Sequence, residues 1–178
     1  MFFFSFKKQG SPGYTLIELS VVLAIIIVLT SAVLIGYRYG GTSLALSRSV
    51  HKLRQDIRRT QEMSMSSRVV EGAMPAGYGI HFDTNNPSSY IIFADSNGDN
   101  QYSGESEDIE VIEMEERISI DQLTPLGSTL TIVFSPPIPS VLINNSPAED
   151  YAEITLTNGR RTASVKVNKV GLIEVISD

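Results

Sequence analysis

The chain has no cysteine among its 178 residues. Disulfides and thiolate metal sites are therefore excluded, and cysteine usage gives no reading of the redox compartment. Histidine is scarce, at two residues. His51 falls on an expected helix and His81 in an expected strand. Neither has a second His or Cys at ligand or catalytic spacing, so both read as structural. There is no Gly-x-Ser-x-Gly, no His-Glu-x-x-His and no phosphate-binding loop. The chain thus reads as a non-enzyme. Basic residues are in the minority: the net charge is −6, which gives the molecule as a whole no general attraction for nucleic acid.

What is present begins with one long apolar run. Residues 15–35 are mostly Leu, Ile, Val and Ala and contain a single charge, Glu18. At about 1.5 Å per residue they make a helix of about 31 Å, matching a bilayer core of about 30 Å. A charge at the centre of a bilayer costs about 2.5–3.5 kcal/mol on insertion scales, so Glu18 asks for a function beyond anchoring. A cleaved secretory signal would be shorter and would be followed by its small-residue site. Here the small residue, Gly13, precedes the run, so the run should stay in the mature protein. Orientation is ambiguous from charge alone. Lys7 and Lys8 favour a cytoplasmic N-terminus, but Arg38, Arg48, Lys52 and Arg54 follow the span closely.

Beyond the span, Gly36-Tyr37-Arg38-Tyr39-Gly40-Gly41 combines interface residues with three helix-weakening glycines and reads as a flexible or melted joint. Helical periodicity then resumes over residues 43–67. Leu46, Val50, Leu53, Ile57 and Thr60 alternate at spacings of four and three, predicting one apolar stripe laid on a sheet. Gly72, Pro75 and Gly77 end the helix. The rest reads as strands. Residues 78–83 and 90–94 form a hairpin, and 109–114 carries a bulge at Ile112. Residues 118–120 and 130–134 follow, the latter broken by Pro136, Pro137 and Pro139. Residues 153–157, 163–167 and 173–176 close the chain, with Asn158-Gly159 as a hairpin signal. The expected fold is α+β: a long N-terminal transmembrane helix continuing into an amphipathic helix packed on an antiparallel β-sheet domain.

The stretch Gly13-Tyr14-Thr15-Leu16-Ile17-Glu18, after the basic Lys7-Lys8 leader, resembles the N-terminus of type IV pilins and type II secretion pseudopilins. There a leader ending in Gly is usually followed by Phe-Thr-Leu-Ile-Glu; here Tyr14 replaces the Phe. More loosely, the remainder is similar to the H-type pseudopilins and FimT-like minor pilins. The residues are Gly77-Tyr78-Gly79-Ile80-His81-Phe82, Tyr90-Ile91-Ile92-Phe93-Ala94-Asp95-Ser96-Asn97-Gly98-Asp99, Ile154-Thr155-Leu156-Thr157-Asn158-Gly159 and Val167-Asn168-Lys169-Val170-Gly171-Leu172-Ile173. The resemblance implies a pilin fold with a leader at 1–13, a transmembrane and polymerisation helix at 14–36, a joint and amphipathic half at 37–75, and a β-rich head at 76–178. It implies cleavage between Gly13 and Tyr14 by a prepilin peptidase, which also methylates the Tyr14 amine. It implies an inner-membrane protein with a cytoplasmic N-terminus and an outer head, which later enters a pilus or periplasmic pseudopilus. Partners would be other pilin subunits, the peptidase, an assembly platform and the bilayer. Glu18 would recruit the subunit and pair with the Tyr14 amine of a neighbour.

Three charged constellations raise further readings. Asp95, Asn97 and Asp99 alternate as oxygen ligands, with Glu105, Glu107 or Asp108 as a late carboxylate, a spacing that suits calcium. The competing reading is a turn rich in φ > 0 residues. Arg160, Arg161, Lys166 and Lys169 read as a basic patch for salt-sensitive, sequence-blind DNA contacts, against an ordinary solvated sheet face. Residues 48–59 carry five Lys/Arg and one acid, and residues 95–116 carry nine acids and no base. The two segments could pair between subunits or stay solvated. The leading reading is a structural subunit; the alternatives are a DNA-binding minor pilin for uptake and an anchored calcium-binding domain that does not polymerise.

Overall fold

The Thr-x-x-Glu sequence at Thr15 and Glu18 opens helix α1, which runs Leu16–Met65. The structure, a computed structural model, describes residues 13–66, 74–135 and 140–177. The leader up to residue 12, Gly72 and the prolines at 136, 137 and 139 lie outside the described residues. The chain divides into two compact units, Met1–Gly40 and Gly41–Asp178. Residues 36–41 were expected as a melted joint, yet they are helical. A glycine costs about 1 kcal/mol in a helix interior but keeps its place in the hydrogen-bond ladder; only proline would remove the donor.

In the first unit, Leu16–Val33 has a mean hydropathy of 2.7 and none of it is buried. A helix of this length and composition can serve as a membrane span or as a signal sequence.

In the second unit, the predicted stripe is buried: Leu46, Val50, Leu53, Ile57 and Thr60 are each at most 5% exposed. It packs on two antiparallel sheets. The first contains β1 (Gly77–Asp83), β2 (Ser89–Asp95), β3 (Asp108–Glu113), β5 (Thr129–Ser135) and β6 (Ser140–Ile143), in the order β3-β2-β1-β5-β6. The second contains β4 (Ser119–Thr124), β7 (Tyr151–Thr157), β8 (Thr162–Asn168) and β9 (Ile173–Ser177), in the order β4-β7-β8-β9. Alternation decides which side chains meet the helix. Tyr78, Ile80 and Phe82 of β1 join Ile92, Ile132 and Phe134 in one core with the helix stripe and with Ile154, Val165 and Val167 of the second sheet. Two polar contacts fix the helix on the first sheet. Ser64 Oγ donates to the Phe134 carbonyl at 2.8 Å, and Tyr90 Oη donates to Asp56 Oδ2 at 2.6 Å. Burial, and then the Asp56 carboxylate, push the Tyr90 phenol far above its usual range.

Three strand-level expectations change. The bulge lies not at Ile112, which pairs with Tyr90, but at Ile109, where the register slips between Ile92↔Glu110 and Phe93↔Asp108. Strand β6 forms beyond the proline-rich stretch, and Ile143 buries fully opposite Ile132. The Asn158-Gly159 signal does mark a hairpin, but its loop has four residues, since Thr157 pairs with Thr162. Asn158 Oδ1 closes that loop by accepting from the Arg160 and Arg161 amides at 3.0 and 2.9 Å.

Candidate functional site

Gly13 and Tyr14 lie in non-helical backbone just ahead of α1, and Tyr14 is 93% exposed. The first turn is a reciprocal capping box. Glu18 Oε2 accepts from the Thr15 amide at 2.8 Å and from Thr15 Oγ1 at 2.9 Å, while the Glu18 amide donates back to Thr15 Oγ1 at 3.3 Å. The arrangement satisfies helix-start donors that an apolar surrounding would otherwise leave bare. Thr15 also lends the lone carboxylate two hydrogen bonds inside an apolar segment. Thr15-x-x-Glu18 is itself a capping-box sequence, a signal local enough to be read without the fold. The box uses only Thr15 and Glu18, so scission between Gly13 and Tyr14 would leave it whole. Glu18 Oε1 has no hydrogen-bond partner among the described residues.

The acidic loop after β2 is organised by its own amides. Buried Asp95 accepts from Gly98 N through Oδ1 at 2.7 Å and from Asn100 N through Oδ2 at 3.0 Å. Asn97 Oδ1 takes the Asp99 amide, and Asp99 takes the Gln101 amide and the Ser103 hydroxyl. The Ser103 hydroxyl, then the Gln101 amide, hold the Asp99 carboxyl below its ordinary range. Gly98 and Asn100 adopt the positive φ such a turn requires. Asp95, Asn97 and Asp99 are thus drawn together, whereas Glu105 is exposed and makes no hydrogen bond with them. Of the other two late-carboxylate candidates, Glu107 is the buried one; it ties the loop through the Ser96 and Ser103 amides. No group of three or more His, Cys, Asp and Glu side chains suited to a metal occurs among the described residues. Tyr102 folds this loop back on the first sheet, stacking on His81 at 4.6 Å and meeting Phe93 edge-on at 5.4 Å.

The basic residues near the C-terminus do not converge. Arg160 and Arg161 sit at the β7–β8 turn and Lys169 at the other end of β8, a strand about 23 Å long at about 3.3 Å per residue. Lys166 lies between them, 3.9 Å above the Tyr151 ring and in register with Glu153 and Glu174 on the flanking strands. Lys169 is paired with Asp150. Sequence proximity suggested one patch, but extended backbone spreads the cations and the neighbouring strands supply acids beside them.

The basic helix face and the acidic segment meet within the chain. Arg48 holds Glu115 in a two-point contact, Nε to Oε1 at 2.9 Å and Nη2 to Oε2 at 2.6 Å. Arg59 meets Glu110 at 2.7 Å. The Arg48 hydrogen bond keeps Glu115 below the usual carboxylate range. The sequence offered inter-subunit pairing or solvation; the fold brings two of these pairs together on one head.

Compared with known proteins, the chain matches no family model, no curated protein and no solved structure.

Proposed function

We propose that the chain is a prepilin-processed structural subunit, a minor pilin or pseudopilin, of a type IV pilus or type II secretion filament. The observation that carries the proposal is local. An exposed glycine stands three residues before an uncovered helix of membrane length, whose single charge is built into the first turn. A plain anchor gains only a helix cap from that charge. A polymerising helix gains a site for a cation from a neighbour.

In this reading a peptidase cuts between Gly13 and Tyr14 on the cytoplasmic face and methylates the Tyr14 amine. Such an amine has a pKa near 7.7–8.0 and is largely protonated at neutral pH. In a helix bundle, an ammonium and a carboxylate offset each other's burial far better than either stands alone. The Thr15 bonds orient Glu18 for that encounter. The α+β head, with its helix stripe buried on two antiparallel sheets, is compatible with a pilin fold of the H-type or FimT-like group and would face outward on the filament. The subunit would sit as a single-pass inner-membrane protein until drawn into the assembly.

A structural role is preferred over DNA capture because the four candidate cations are spread along β8 with acids beside Lys166 and Lys169. It is preferred over a non-polymerising calcium tether because loop amides already occupy Asp95 and Asp99. The test is Glu18→Ala in the full chain. The variant is expected to insert and keep a folded head but to be lost from sheared filaments or cross-linked pseudopili. Incorporation at the parent level would defeat the proposal.

A further inference from the structure

The two sheets of the head end on β3, β6, β4 and β9, and three of these edges are blunted. Strand β3 carries Asp108, Glu110 and Glu113 and a bulge. Strand β4 carries Asp121 and a bulge of its own, and β6 has only four residues. Charges, bulges and shortness are what keep an edge from pairing with another chain. Strand β9 has a single charge, Glu174, and its register with β8 is unbroken over five pairs.

The hydrogen-bond phase of β9 identifies the groups left over. Asn168 N donates to the Leu172 carbonyl at 3.1 Å. Bonded and non-bonded pairs alternate along an antiparallel ladder, so Lys166↔Glu174 and Ser164↔Ile176 are the bonded pairs. Ile173 and Val175 therefore turn their amides and carbonyls away from β8, to the side where the sheet has no further strand. Their side chains pack toward the core, while Glu174 and Ile176 are exposed on the outer face.

An open groove of about 440 Å³ lies on the core side of this edge. Val175 and Ala163 form its sheet wall, and Leu44, Leu46 and Val50 form its helix wall. Leu44 is 61% exposed, although it stands beside a formed core. The ionisable residues lining the groove are His51 and Arg161, with no carboxylate among them. Arg161 is exposed, and its guanidinium has no partner among the described residues.

We propose that β9 is a docking edge that takes an extended segment of a partner protein as a further strand. The partner segment carries apolar residues at alternate positions, which fill the groove, and a carboxylate, which meets Arg161. The free amides and carbonyls supply main-chain pairing, and the groove selects every second side chain. A second copy of β9 does not fit. Its one carboxylate, Glu174, lies on the face opposite Val175 and would bring no acid to the groove. The inference is independent of the filament reading, because edge and groove both lie within the unit Gly41–Asp178.

The probe is the labelled peptide Asp-Thr-Val-Thr-Val-Thr, titrated against the full chain in lipid nanodiscs and read by fluorescence anisotropy. Added antiparallel, its valines fall opposite Val175 and Ile173 and its aspartate opposite Ser177, whose neighbour on β8 is Ala163. Binding with a Kd below about 1 mM is expected. N-methylation of both valines removes their bonds to the edge and should weaken binding roughly tenfold or more. Val175→Pro, which an edge strand tolerates, and Leu44→Glu at an exposed position should each do the same. Arg161→Glu should shift the preference to the peptide led by lysine. No binding to a folded chain overturns the proposal. Equal binding of the N-methylated peptide overturns it too, since apolar adsorption alone would then explain the result. Self-association of the chain that Val175→Pro abolishes would make the edge an interface between copies and exclude a separate partner.

Discussion

Gly79 offers the sharpest test of the packing. It is buried in the middle of β1, directly opposite Phe93 of β2. A Cβ at this position would lie 2.3 Å from Phe93 Cζ, 2.4 Å from Cε1 and 3.0 Å from the Ile132 carbonyl oxygen. The Phe93 ring thus occupies the space a side chain would need. It cannot simply swing away, because it is fully buried and Tyr102 stands against it, while the Ile132 oxygen belongs to a paired strand. Overpacking of a formed core costs about 1–3 kcal/mol, and a clash with both a ring and backbone places Gly79→Ala near the top of that range. At about 4 °C per kcal/mol for a unit of this size, the melting temperature should fall by about 8–12 °C. The assay is thermal unfolding of the full chain in detergent, followed by circular dichroism. Phe93→Leu frees the space, so the double variant should be less destabilised than the two single changes together by about 1 kcal/mol or more. A Gly79→Ala chain that melts with the parent, or strict additivity with Phe93→Leu, would refute this account of the sheet.

Two further predictions concern charge. His81 is half-buried, stacked on Tyr102, with Nδ1 2.8 Å from Thr131 Oγ1; burial pushes its pKa down, against an opposing pull from Asp83 and Asp108. Its folded pKa then lies below an unfolded value of about 6.5, so the stability it contributes is complete above that pH and is lost as pH falls through it toward the folded pKa. Melting temperatures from pH 7.5 to about 5 should therefore drop less steeply in His81→Phe than in the parent, and identical slopes would count against the burial argument. Arg48→Ala removes the contact that depresses Glu115. The pair is exposed and screened by solvent, so the loss should be small. It should be seen above the ordinary carboxylate pKa and vanish in acid; a larger loss, or one that persists in acid, would mean Arg48 acts through packing.

Local periodicity was enough to find the helix stripe, since each of Leu46, Val50, Leu53, Ile57 and Thr60 depends only on its spacing along one helix. It also located most strands, whose alternation and flanking turn residues are local. What escaped was long-range. Strand β6 hides behind a proline-rich stretch and is stabilised by Ile143 packing opposite Ile132, a partner set by tertiary structure. The Ile109 bulge depends on register with β2, not on the pattern of β3 alone. Arg48 and Glu115 are 67 residues apart, and nothing in either segment announces the other. The basic residues misled for the opposite reason. They are near in sequence, but an extended strand separates them and sets acids beside two of them. At the candidate site, Gly13, Tyr14 and Glu18 were visible as a motif, while the Thr15 half of the capping box was present in the sequence and went unread.

The central claim is that Gly13 marks a cut and that Glu18 serves what the cut creates. Intact-mass spectrometry of the full-length gene product, extracted from membranes of a host with an active prepilin peptidase, tests it most directly. The account predicts a chain beginning at Tyr14, lighter by residues 1–13 and heavier by one methyl group on its amine, with Gly13→Ala reducing or abolishing the conversion. A mature protein that retains residues 1–13, or one cut after the apolar helix instead of before it, would contradict the account.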